Sequence, residues 1–360
     1  MNDTTPLRYF AASNSCRGFC NYYDDVFNEK STRRLYIIKG GPGTGKSHFM
    51  KTVARRARGQ GYAVTEYACS SDPASLDGIL LEKEGVPTLG LLDGTAPHVR
   101  EPILPGARDE ILNLGQFWDA TRLGGQEHTI RVLGESKAAA YSRAYAYLAA
   151  AGEVDRAADS HMDTWVRQDR LAAFARRILR GQPEGAGFHP VPALRRAVSM
   201  AGDVCLHTFE QESAARGGVL LTVEDYYGLG YRLTSQLLEL SREGRHRLLV
   251  SYHPVFPSKI DGLLYPDTGL CILVGYGEPA EGGIVRSLHL RRYAKAEALR
   301  GLRAELRHVR TLEDSLTEAA LRELASASEA HFALERIYAE AMDFGAKEAY
   351  TEEFCERIGV

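Results

Sequence analysis

Leu35–Met50, LYIIKGGPGTGKSHFM, decides how this chain is read. An apolar run leads into a glycine-rich turn, then Lys46 and Ser47, then residues with helical patterning. The spacing G-x-x-x-x-G-K-S over Gly40–Ser47 is that of a phosphate-binding loop. A triphosphate needs many hydrogen-bond donors at close range. Gly40, Gly41, Gly43 and Gly45 let the backbone turn tightly and approach phosphate oxygens with no Cβ in the way. Successive N–H groups then line a concave anion nest, and the helix beginning near Lys46 aims its positive end at the same place. Pro42 fixes φ at a position that need not donate. The expected nucleotide-binding set is Gly40, Gly41, Pro42, Gly43, Thr44, Gly45, Lys46, Ser47 and His48. Lys46 is expected on the β- and γ-phosphates and the Ser47 hydroxyl on Mg2+.

Outward from the loop, Arg34–Lys39 reads as a buried strand, because Leu35, Tyr36, Ile37 and Ile38 run nearly without a break. Ser47–Arg58 reads as a helix ended by Gly59 and Gly61. Tyr62–Ala68 and Thr88–Leu92 read as strands, and Ser75–Leu81 as a crossing into a short apolar piece. Upstream, Leu7–Lys30 reads as a short strand or turn and then a helix around Phe19–Phe27. The order predicts an α/β fold with a parallel sheet of P-loop NTPase type. Ligands on such sheets sit beyond the carboxyl ends of the strands. Gly40–Ser47, Ser70–Asp72 and Asp93–His98 therefore fall on one rim. Asp93, closing an apolar strand, is expected to hold Mg2+ together with Ser47. His98 is placed to sense the γ-phosphate or move a proton. Lys46, Asp93 and His98 form the candidate catalytic set. Ser70, Ser71 and Asp72 either orient a water or acceptor or cap the next helix.

The chain has 360 residues, which is two domains of ordinary size. Its 44% hydrophobic and 25% charged content is that of a globular protein. A net charge of −3 excludes a chain that binds nucleic acid through its overall charge. Of the six cysteines only Cys16 and Cys20 lie close together, and no second pair completes a zinc site. Unpaired thiols and nucleotide chemistry point to the cytoplasm. MNDTTPLRYF carries no signal-peptide pattern, and no run approaches a membrane span.

Thr129–Gly181 is helical in pattern, with Tyr141, Tyr145 and Leu148 recurring at helical spacing. Gly181–Pro192, GQPEGAGFHPVP, has the composition of a linker. After it the first half recurs. A shift of 185 residues lays Gly45 on Gly230, Gly43 on Gly228 and Cys20 on Cys205, and VLLTVED (Val219–Asp225) falls where the first strand lay. With one residue dropped, Ile260–Leu264 matches Leu76–Leu80, so Asp77 and Asp261 recur and read as a structural turn. The chain is thus internally duplicated, each half an α/β unit with a helical extension, divided as 1–184 and 185–360. The second loop, EDYYGLGYRLT, has Tyr231 for the lysine, Arg232 for the serine and Asp225 for the first glycine. It should not bind a triphosphate in the usual way. Its role is structural support, or alternatively Arg232 acts across a pseudo-two-fold interface as a charge stabiliser. Arg300, Arg303, Arg307 and Arg310 read as the solvated face of an amphipathic helix.

GGPGTGKS followed by CSSDPASLDG and LLDGTAPHV, with RYFAASNSCRGF upstream and ILPGARDEILNLGQFWD downstream, resembles a bacterial family of tandem P-loop ATPase-like proteins. The resemblance covers most of the chain and is strongest from Tyr9 to Trp118. It implies ATP binding; in that family both halves can carry a P-loop, and this chain departs from that in its second half. The expected activity is Mg2+-dependent ATP hydrolysis at the N-terminal half. The alternatives are a small-molecule kinase using the same loop and a slow nucleotide-gated interaction module. A protein partner on the helical extensions and a homo-oligomer are further candidates.

Overall fold

Strand Arg34–Lys39 is buried on both faces, as its unbroken apolar run requires: Leu35, Ile37 and Ile38 are 0% exposed and Tyr36 6%. The surrounding fold is that of a computed structural model, which describes residues 7–275 and 280–360. The readings that concern residues 1–6, including the start of the 1–184 repeat, lie outside the described residues.

The first half runs β1 (Leu7–Phe10), β2 (Ala12–Ser15), β3 (Gly18–Asn21), α1 (Tyr23–Val26), β4 (Arg34–Lys39), α2 (Lys46–Gly59), β5 (Ala63–Ala68), β6 (Leu76–Lys83), β7 (Val86–Asp93) and β8 (Asp109–Asn113). Its tail is α3 (Ala120–Gly124), α4 (Glu127–Asp159), α5 (Met162–Trp165) and α6 (Gln168–Leu179). The second half runs β9 (His189–Pro192), β10 (Arg196–Ser199), β11 (Gly202–Cys205), α7 (Thr208–Ala215), β12 (Val219–Val223), α8 (Leu229–Glu243), β13 (Arg247–Tyr252), β14 (Ile260–Tyr265), β15 (Leu270–Val274) and β16 (Ile284–Leu288), with α9 (Ala296–Glu340) and α10 (Phe344–Ile358) as its tail. No helix of the described residues is long and apolar enough to cross a membrane.

Two six-stranded sheets result, ordered β1-β5-β6-β7-β4-β8 and β9-β13-β14-β15-β12-β16. They match strand for strand, which bears out the duplication. Each is mostly parallel, but β6 and β14 run antiparallel to both neighbours. The expected parallel sheet is therefore mostly parallel, with one antiparallel strand in each half. The reason lies at Glu84-Gly85: with Lys83 paired to Val86 the turn has room for two residues, Gly85 takes φ +75°, and a turn that short can only join antiparallel neighbours.

Other expectations also change. The helix read around Phe19–Phe27 is a β2–β3 hairpin followed by the short α1, because Gly18 at φ +85° closes a turn before Phe19. His189–Pro192, read as linker, is β9, which tolerates Pro190 and Pro192 because it is an edge strand. Hairpin register pairs Ala12 with Asn21 and Arg196 with Cys205, so the counterpart of Cys205 is Asn21 and not Cys20. Strand β8, which the polar ends of DEILN conceal, forms the opposite edge of the first sheet.

The inner faces of the two sheets share one core, in which Leu35, Ile37 and Leu92 meet Leu220, Leu264 and Leu273. The repeat counterparts Phe10 and Leu194 exchange N–H···O bonds of 2.8 and 2.9 Å, so a pseudo-two-fold axis passes between them. The long helices α4 and α9 lie antiparallel, with Lys137 beside His331, Arg143 beside Glu323 and His161 beside Glu305. Each tail crosses to the other half. Helix α6 packs on α8, and Trp165, Leu171 and Phe174 complete the core there. Helix α10 packs on α2, where Phe354 meets Tyr36 and Phe49 edge-on or tilted at 4.9 and 5.1 Å. Much of the apolar surface of the helical extensions is thus buried inside the molecule.

Candidate functional site

The loop after β4 leaves the strand at its carboxyl end and enters α2 through Gly45, a left-handed cap at φ +76°. The leading N–H groups of α2 have no carbonyl partner within the helix and point into the loop. Lys46 folds back over it, donating from Nζ to the carbonyls of Gly40 and Gly41 at 2.7 and 2.8 Å. The same ammonium lies 3.5 Å from Asp93 Oδ2. The Ser47 hydroxyl accepts from the Leu76 amide at 3.0 Å, which ties the first turn of α2 to the start of β6.

Asp93 ends β7 on the same rim, with Oδ1 held by the Thr95 amide at 2.9 Å and by the Thr95 hydroxyl. Asp77 arrives from the other direction. Because β6 is antiparallel, its first residues lie beside the last residues of β7: Gly78 pairs with Leu92, and Asp77 and Asp93 come next along each strand. Asp77 is 2% exposed, and Tyr23 donates to its Oδ2 at 2.7 Å. Burial raises its pKa, and neighbouring Asp93 adds to the rise against the lowering effect of His98. His98 is 9% exposed and stands over both carboxylates.

A cavity of about 1070 Å³ spans this rim and is lined by Gly41–Ser47, Asp77, Asp93 and His98. Its roof comes from the tails: Lys137 and Tyr141 of α4, and His331, Glu335 and Tyr338 of α9. Tyr141 shares a hydrogen bond with Ser71 at 3.1 Å. Of the residues read from sequence, the structure brings Lys46, Ser47, Asp93 and His98 together. His48 is turned away, its Nδ1 3.4 Å from Glu348 of α10. Asp72 caps its own turn, accepting from the Ala74 amide at 3.1 Å and the Ser75 hydroxyl at 2.7 Å; a strand and no helix follows it. In comparisons of this chain with family models, with curated proteins and with solved structures, no match was found.

The second loop is an internal reference for the first. Asp225, at the position of Gly40, points its carboxylate into its own nest and accepts from the amides of Gly228 and Gly230 at 3.1 and 3.0 Å. Those amides correspond to Gly43 and Gly45. Sheet register places Val274 at the position of Asp93, since Ile38 pairs with Asp93 and Val223 with Val274. Arg232 forms an ion pair with Asp163 of α5 at 2.7 Å and does not line the first cavity. The reading of Arg232 as a charge stabiliser for the first site is therefore corrected. Replacing Asp225 by alanine leaves two amides unpartnered and should cost about 2 kcal/mol of stability, measured by urea unfolding.

The roof carries a titratable group that sequence reading missed. Burial, reinforced by Lys137 Nζ 3.5 Å from Nδ1, holds His331 down at about 4, against an ordinary 6.5. The folded protein thus binds this proton less well than the unfolded chain. The contribution is fully present above pH 6.5 and is lost as pH falls through 6.5 toward 4. Allowing for its partial exposure, the loss should reach about 2 kcal/mol. Denaturant unfolding at pH 7 and pH 4.5 should show a smaller difference for His331→Gln than for the wild type.

Proposed function

We propose that the chain binds Mg2+ and a nucleoside triphosphate, ATP by the resemblance, at Gly40–Ser47 and hydrolyses it there. The observation that carries this reading is the contrast between the two loops. One built-in carboxylate occupies the nest of the second half, which supports reading the loop geometry as an anion receptor. In the first half Gly40 has no side chain to fill the nest, and Lys46, Ser47 and Asp93 surround it.

On this reading Lys46 moves from the carbonyls of Gly40 and Gly41 to the β- and γ-phosphates. Ser47 and Asp93 hold the magnesium, whose role is to neutralise developing phosphate charge. A water attacks the γ-phosphorus as the bond to the β–γ bridging oxygen breaks, and the loop N–H groups stabilise the charge that shifts to that oxygen. His98 is the group placed to accept or relay the water's proton. A reducing, cytoplasmic setting belongs to the same proposal and is supported by the six cysteines, all free thiols.

A second reading, phosphoryl transfer to a small acceptor, draws support from the size of the cavity and its apolar wall of Ile130, Phe332 and Leu334. The deciding experiment is a panel of nucleoside triphosphates with Mg2+, scored for binding and phosphate release with and without candidate metabolites. Saturable ATP binding with acceptor-independent release supports hydrolysis. Release that requires one metabolite moves the reading to a kinase, and a chain that binds no triphosphate overturns both.

A further inference from the structure

We infer that Asp77, Asp93 and His98 form a binding site for a divalent first-row transition metal ion that requires no nucleotide; it shares Asp93 with the magnesium position proposed above, and a filled site occupies His98 Nε2 and takes that atom out of proton relay. The three side chains offer one ligand atom each, all within 4.8 Å of one another. Their arrangement is convergent. Tyr23 occupies Asp77 Oδ2, and Thr95 occupies Asp93 Oδ1. The two remaining oxygens, Asp77 Oδ1 and Asp93 Oδ2, both face His98 Nε2, at 3.6 and 3.9 Å. Those separations are too long for hydrogen bonds, and both ring nitrogens of His98 are buried without a hydrogen-bond partner. A cation with bonds of about 2.1 Å sets neighbouring ligand atoms roughly 3.0–3.4 Å apart. Closing the two imidazole–carboxylate gaps to that spacing takes a few tenths of an ångström. Tyr23 and Thr95 would then act as the outer hydrogen bonds that orient ligating carboxylates.

The second half shows how the fold balances the same buried charge by other means. Asp261, the counterpart of Asp77, is 0% exposed and has the guanidinium of Arg196 at 3.3 Å and that of Arg195 at 3.9 Å. With Val274 for Asp93, that copy has Asp261 beside two arginines, which also pair with Glu210 and Asp203. The first copy has two carboxylates, an imidazole, and Lys46 beside Asp93 alone. Among the described residues no lysine or arginine forms an ion pair with Asp77. Buried carboxylates need a positive partner, and a divalent ion at this point supplies it. The donor set decides the class: an imidazole with two carboxylates suits Mn2+, Fe2+, Co2+ or Zn2+, whereas Mg2+ prefers oxygen ligands and keeps its waters.

The test uses the full chain, stripped of metal and free of nucleotide, so its result is independent of whether the loop binds ATP. Equilibrium dialysis against Co2+ and Mn2+ should give one ion per chain, retained in a hundredfold excess of Mg2+. Lys46→Ala should bind the ion at least as well. His98→Gln and Asp77→Asn should each weaken binding more than tenfold while circular dichroism confirms the fold. Should a variant fail to fold, the wild type alone decides: pulsed electron paramagnetic resonance of bound Mn2+ should show coupling to one imidazole nitrogen. No stoichiometric binding, binding unchanged in both folded variants, or bound Mn2+ without nitrogen coupling would each overturn the assignment.

Discussion

Replacing Lys46 by alanine is expected to lower nucleotide turnover by about 10²–10³-fold, the usual cost of removing one preorganised charge-stabilising donor. The effect should be this large because Lys46 is the cation that lies within the loop itself. Arg232 is committed to Asp163. Lys137 reaches the cavity from the roof, beside His331, and burial lowers its pKa. The fold should tolerate the change, since the lysine bonds two loop carbonyls and lies beside one carboxylate. Comparable melting temperatures for the two proteins, with turnover measured on preparations freed of contaminating ATPases, make the comparison clean. Turnover at the wild-type rate would remove the first half as the seat of hydrolysis.

The second large effect is expected at Gly43, where alanine should destabilise the protein by roughly 3 kcal/mol or more. Two costs combine. The residue sits at φ +72°, where a side chain costs about 1–2 kcal/mol. Its Cβ would also stand 2.3 Å from the Glu335 carbonyl, which belongs to the α9 backbone and cannot swing aside. Overpacking of this kind adds about 1–3 kcal/mol. The loop and α9 must then separate, so limited proteolysis should cut α9 earlier in Gly43→Ala than in the wild type. Gly18→Ala is the control, because it shares the positive φ (+85°) but has no atom within 4 Å of its added Cβ. It should show the conformational cost alone and leave α9 protected.

Much of this site was legible from Leu35–Met50, because a phosphate loop states its chemistry in consecutive residues. Lys46, Ser47 and Asp93 fall together as their spacing along β4, α2 and β7 implies. Asp77 was misread for a specific reason. Its recurrence as Asp261 suggested a turn, and only the antiparallel direction of β6 brings its first residues to the rim that carries the Gly40–Ser47 loop. The Glu84-Gly85 pair held that information as a two-residue hairpin turn. The roof was out of reach of any local reading. His331 and Glu335 lie nearly 300 residues from the loop they cover, and helical spacing says which face of α9 is apolar but not which half it covers. The duplication was readable because strands recur in order, while the Cys20–Cys205 match failed by one residue, a slip that hairpin pairing exposes.

The exchange of helical tails also sets a schedule for biosynthesis. The first sheet is complete on the ribosome once β8 has emerged, yet its outer face waits for Phe354 and Cys355 of α10. The roof over the loop waits for His331–Ala339. Through translation of almost the whole second half, Tyr36 and Phe49 therefore lack the residues that finally cover them, and transiently exposed apolar surface of this kind is prone to aggregation. A ribosome that stalls before α10 releases a protein with an intact Gly40–Ser47 loop and an unfinished pocket, so the pocket is complete only once α9 and α10 have been translated.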